Sequence, residues 1–161
     1  MVTYSQILFC TDFSENAKAA LPFAIDLSKK YGATLHMVHV YQDPGELAEF
    51  EISSEIKMDW IRVAQNLGTA SETKLRELCN EVTQEIKSCR FKMLRGKPHL
   101  EIIRYAKENT VDLIVMASHG LSGLEHVLFG STAERVLRES PCNVLVIKTS
   151  QGSSMEEAEG Q

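Results

Sequence analysis

The sequence predicts one α/β domain: a parallel sheet with helices packed on both faces. Three observations carry this. Short apolar runs alternate with stretches of helical periodicity in the order β-α-β-α-β-α-β-α-β. One run, Leu113-Ile114-Val115-Met116, is apolar at every position, as a strand buried on both faces requires. The chain has 161 residues, 43% of them hydrophobic, enough for a single domain with a real core.

The elements follow in order. Ile7-Leu8-Phe9 reads as a buried strand. Ser14 can cap the helix after it, with Glu15 at the positive end. Ala17, Ala20, Leu21, Ala24 and Ile25 repeat at helical spacing, and Gly32 supplies the stop. Pro22 lies inside this segment, so a kink or a late start is expected. Ala33 to Tyr41 is rich in β-branched and apolar residues and reads as the second strand. Pro44-Gly45 breaks the pattern, and the long stretch Asp43 to Trp60 is expected to be mobile.

From Leu47 to Lys87 the periodicity is helical, with Leu75, Leu78, Val82 and Ile86 on one face and an interruption expected at Gly68-Thr69. Cys89 to Leu94 alternates as a half-buried strand does. Pro98 sits where a helix tolerates proline, near its start. The apolar strand "VDLIVMA" comes next, then a glycine-containing stretch, a helix near Ser131 to Glu139, and a last strand, Val144 to Lys148. Residues 149–161 lack apolar periodicity and read as a disordered acidic tail, which leaves 1–148 as the domain.

Charge and cysteines exclude some functions. The formal charge is -5, which argues against nucleic-acid binding. No apolar run is long enough to cross a membrane, and the amino-terminal stretch lacks the basic region of a signal peptide. Cys10, Cys79, Cys89 and Cys142 form no C-x-x-C pair. They read as reduced, packed thiols, with no metal site, in a cytoplasmic protein.

In such folds ligands sit at the carboxyl ends of the strands. That singles out "CTDFS" and "MASHGLSGLEHVLFGSTAERV". In the second stretch Gly120 would let the backbone approach an anion, and Gly130-Ser131-Thr132 would present N–H groups and hydroxyls at a helix start. The same residues fit a plain capping box, Ser131 bonding forward and Glu134 reaching back. There is no P-loop lysine, and 117–134 contain no Lys or Arg. Asp12 could bind a ligand or cap the first helix.

This arrangement resembles the universal stress protein family, whose nucleotide-binding members carry G-x2-G-x9-G-[ST]. Nine residues separate Gly120 from Gly130-Ser131, and counting back places Ala117 on the first glycine. The register Gly120-x2-Gly123 leaves only six residues and is rejected. "ILFCTDFSENAKAAL", "VHV" and "GSTAERVLRESPCNVLVIK" resemble the family's first strand and helix, the end of its second strand, and its last helix and strand.

The resemblance implies a Rossmann-like, five-stranded parallel sheet of order 3-2-1-4-5, and a homodimer paired through the last strand, Asn143-Lys148. It implies ATP with a divalent ion (Mg2+ or Mn2+). Thr11 and Asp12 would lie beside the adenine and Val40 against the base or ribose. Met116, Ala117 and Gly120 would line the ribose and first phosphates, and Gly130, Ser131 and Thr132 would hold the outer ones. Two departures stand out: Ala117 replaces a glycine, and Leu121 stands where many binding members carry a basic residue.

The expected function is a dimeric stress-response module whose bound ATP biases dimer or partner contacts. The alternative is a dimeric interaction module of the same fold that binds no nucleotide. Neither loop offers a general base with a partnering cation, so at most slow ATP hydrolysis is expected, with no catalytic residues. A phosphoacceptor receiver domain is discarded, because "CTDFS" holds one acid and "CRFKMLRGK" none. His39 reads as a packed strand residue, His119 as a loop histidine, Cys10 as packing, and Trp60 as core or dimer cover.

Overall fold

The computed structural model describes residues 1–42, 54–120 and 129–148, with side chains except at 54–61 and 64. The expected mobile stretch Asp43 to Trp60 falls outside the described residues up to position 53, as do Leu121 and the tail from 149.

Five strands form one sheet: β1 (Gln6–Cys10), β2 (Thr34–Tyr41), β3 (Cys89–Arg95), β4 (Leu113–Ala117) and β5 (Asn143–Ile147). All pair in parallel, in the order β3-β2-β1-β4-β5. Four helices are described: α1 (Glu15–Tyr31), α2 (Ser54–Val82), α3 (Pro98–Glu108) and α4 (Ser131–Glu139). Asp112 fixes the start of the central strand: its Oδ2 accepts the N–H groups of Ser5 and Gln6 at 2.6 and 2.8 Å.

Strand periodicity sorts the core into two layers. Ile7 and Phe9 of β1, Leu35 and Met37 of β2 and Val115 of β4 join Ala20 and Ala24 of α1 and Leu75, Cys79 and Val82 of α2. Leu8, Val38, Ile114 and Met116 face the other way, onto Ile102 and Ala106 of α3 and Ala133 and Val136 of α4. His36 lies in this second layer at 1% exposure. Its Nε2 is 2.7 Å from Gln6 Oε1 and its Nδ1 2.9 Å from the Tyr105 hydroxyl. Burial, with Arg90 adding to it, lowers its proton affinity. The carbonyl oxygen of Gln6 can only accept, so Nε2 carries the hydrogen of a neutral ring.

Two expectations are corrected. The first helix begins at Glu15 and runs unbroken through Pro22, so the late start does not occur. Ser14 anchors that start, its Oγ accepting the Ala17 N–H at 3.1 Å. Pro22 and Lys18, whose carbonyl loses its partner to the proline, are both exposed, so water can satisfy that carbonyl. Likewise, α2 continues through Gly68-Thr69. Thr69 turns its hydroxyl back onto the Gln65 carbonyl at 3.0 Å. The apolar face that includes Leu75 and Val82 is buried against the sheet, and packing outweighs the local propensity cost. Gly32 closes α1 as expected, at φ 64.

A Cβ added at Gly68 would meet nothing within 4 Å, and no left-handed backbone requires a glycine there. Gly68→Ala should therefore stabilise the fold by roughly 0.5–1 kcal/mol. Urea unfolding followed by circular dichroism checks this, with a rise in midpoint at unchanged slope as the expected result.

Candidate functional site

The chain leaves β1 toward β2 on one side and reaches β4 on the other. The loops after β1 and β4 therefore part at the carboxyl end of the sheet, where an open α/β sheet forms its binding crevice. A cavity of about 490 Å³ lies there, within the range of small-molecule sites.

The β1 loop is held by its own side chains. Thr11 N–H donates to the Val38 carbonyl at 3.0 Å. Thr11 Oγ1 accepts the Phe13 N–H and Asp12 Oδ1 accepts the Ser14 N–H, each at 3.0 Å. Between them Phe13 adopts a left-handed conformation, φ 62, uncommon for a large side chain. Its ring packs on His39, centroids 4.6 Å apart, and lies beneath the Lys74 ammonium at 4.9 Å. His39 Nδ1 donates to the Thr11 carbonyl at 2.8 Å, in keeping with a packed strand histidine. Ser14, not Asp12, caps α1. The Asp12 carboxylate instead reaches Gly120: a Cβ built on Gly120 would overlap its Oδ2.

The β4 loop meets the amino end of α4. Ser118 N–H donates to the Ile147 carbonyl at 2.9 Å, and Gly130 N–H donates to the Ser118 carbonyl at 2.7 Å. The capping-box expectation is corrected here. Gly130 is the N-cap and, as a glycine, brings no side chain to cap the helix. Glu134 sends its N–H to the Gly130 carbonyl and its carboxylate to Arg138 at 3.3 Å, along the helix. Ser131 is thus the first helical residue. The opening N–H groups of a helix have no intrahelical acceptor. In α4 these belong to Ser131, Thr132 and Ala133, and all three residues border the cavity.

All nine residues singled out in the sequence line this one cavity: Thr11, Asp12, Val40, Met116, Ala117, Gly120, Gly130, Ser131 and Thr132. Ala117 belongs to the buried cluster on the α1–α2 side. Among the described lining residues Asp12 is the only carboxylate, and there is no Lys or Arg. The amino ends of α3 and α4 both border the space, through Pro98 and Ser131, and add positive dipole potential.

Sequence reasoning missed Gln42, just past β2, which the strand-end rule could have found. It also left out Ser118 and His119, whose Oγ and Nδ1 lie 3.0 Å apart. Cys10 lines the wall too. Burial first, then the neighbouring Cys142, raises its thiol well above the ordinary range, so it contributes a neutral surface.

Residues 3–148 match the sequence profile of the Universal stress protein family. Universal stress protein MJ0577 of Methanocaldococcus jannaschii is 33% identical, over 91% of this chain and 96% of that one. A solved structure of a universal stress protein, UspA from Lactobacillus plantarum, is similar with a TM-score of 0.80 at 25% identity, covering 91% of this chain and 99% of that one. A universal stress protein in complex with cAMP covers 92% of this chain and 100% of its own, with a TM-score of 0.64. At 22% identity that likeness is one of fold.

The two cavity glycines should respond differently to substitution. A Cβ at Gly130 would lie 3.4 Å from the Ser118 carbonyl oxygen, an ordinary contact, and its φ of -66 suits any residue. Gly130→Ala should unfold within about 0.5 kcal/mol of the wild type. Gly120→Ala drives a methyl into the Asp12 carboxylate and should lose about 1–3 kcal/mol. Denaturant unfolding of the two variants side by side checks the ranking.

Proposed function

Because this chain belongs to the universal stress protein family, we propose that it is an ATP-binding, dimeric regulatory module of the stress response. The observation that carries the reading is the convergence of the nine residues on one cavity at the amino end of α4. Thr11 and Asp12 receive the adenine, and Val40 packs on base or ribose. Met116, Ala117 and Gly120 follow the ribose and first phosphates. The N–H groups and hydroxyls of Ser131 and Thr132, with Gly130, take the outer phosphates. A fold relative, a universal stress protein, was solved in complex with cAMP.

A divalent ion accompanies the triphosphate in this reading. The described residues hold no cluster of His, Cys, Asp or Glu that could bind a metal by itself, so the ion would arrive on the phosphates. Bound ATP acts by differential affinity for two states of the dimer or of its partner surface. Hydrolysis is at most slow, since no residue of the described cavity pairs a general base with a cation. The absence of Lys and Arg from the described lining favours a second reading, an interaction module of the same fold without nucleotide.

Titration calorimetry with ATP and magnesium separates the two. Micromolar binding is expected, weakened at least tenfold in Gly130→Ala, whose methyl would stand 3.9 Å from the Gly120 nitrogen on the anion's approach. Absence of saturable heat, with no nucleotide co-purifying by mass spectrometry, would sink the ATP reading.

The dimer is proposed through β5 and Lys148. This strand lies at a sheet edge with Val144, Leu145 and Val146 only half-buried, and unpaired edges invite pairing. Light scattering at micromolar concentration should return twice the chain mass, and a monomer refutes it.

A further inference from the structure

The cysteines of the second crossover form a pair that the nucleotide site does not use. Cys79 lies in α2 close to its carboxyl end and is 4% exposed, and Cys89 opens the edge strand β3 and is half-buried. Their sulfurs are 2.7 Å apart. A disulfide holds its sulfurs at about 2.05 Å, so closure needs less than an ångström of movement. The two residues come from different elements, joined by the turn at 83–88. A bond between them would tie the end of α2 to the amino end of β3.

We propose that Cys79 and Cys89 are a reversible dithiol–disulfide pair that exchanges with low-molecular-weight disulfides, independently of the nucleotide cavity. Cys89, the more exposed residue of the two, loses its proton and attacks one sulfur of the incoming disulfide. That S–S bond breaks, and the first small thiolate leaves and is protonated. Cys79 then gives up its proton and attacks the Cys89 sulfur. The protein S–S bond forms and the second small thiol departs. Two electrons and two protons have passed from the cysteines to the oxidant.

Burial raises both thiols above their ordinary range. The thiolate is the attacking form, so exchange at neutral pH is slow.

The test equilibrates the whole protein in buffers of reduced and oxidised glutathione, then alkylates and weighs it. Two of the four thiols should become protected together, with one midpoint. Trypsin should release the peptide Glu77–Lys87 joined to Ser88–Arg90. Cys79→Ser should instead hold a stable glutathione adduct at Cys89, because the resolving sulfur is gone. Four alkylatable thiols in the most oxidising buffer would overturn the proposal. So would a persistent glutathione adduct on wild-type Cys89, or a link that bypasses Cys79. The wild-type measurement stands alone if the variant fails to fold.

Discussion

Everything in this molecule follows from the burial of β1 on both faces. Ile7 and Leu8 are fully buried and Phe9 is 1% exposed, so adjacent residues facing opposite ways are all removed from water. A strand in that position needs strands on both edges and helices above and below. β2 and β4 supply the edges, α1 and α2 one cover, α3 and α4 the other. With parallel neighbours on both sides, the chain must leave β1 in one direction and return on the other. The crevice at the carboxyl end is therefore a by-product of topology. Asp12 and Gly120 meet there because their strands are neighbours.

What distinguishes the crevice is how firmly its walls are built. The β1 loop holds a phenylalanine in a left-handed conformation, and Thr11, Asp12, His39 and Lys74 all contribute to keeping it there. Non-glycine residues in that region cost free energy and persist where their surroundings over-determine them. The other wall rests on the short hydrogen bond between Gly130 and Ser118. This bond seats the start of α4 directly beyond the end of β4.

The fold was legible in the sequence because burial leaves periodic traces. Leu113 to Ala117 is buried at every position, and β3 alternates from Cys89 to Met93. The strand order was legible only through the family resemblance, since periodicity carries no information on neighbours. Local signals failed where tertiary contacts outweighed them. Gly68 and Thr69 looked like a break, yet the buried face of α2 carries the helix through. The nine residues singled out in the sequence all lie on the wall of one cavity, but the cap of α4 was assigned one position late. Glycine and serine both serve as N-caps, and a Glu that could reach back can equally pair forward, as Glu134 does with Arg138. Cys79 and Cys89 sit ten positions apart in sequence without any recognisable motif, and only the packing of α2 on β3 brings their sulfurs together.

The opening N–H groups of α4 have one more consequence. They are main-chain groups, and at the pH extremes of ordinary cell life a peptide nitrogen neither gains nor loses a proton. Exchange of one side chain for another leaves them in place, and only proline removes one. A wall made this way keeps its donors through acid shock and through sequence drift. Such constancy leaves this wall of the cavity independent of the protonation of any side chain.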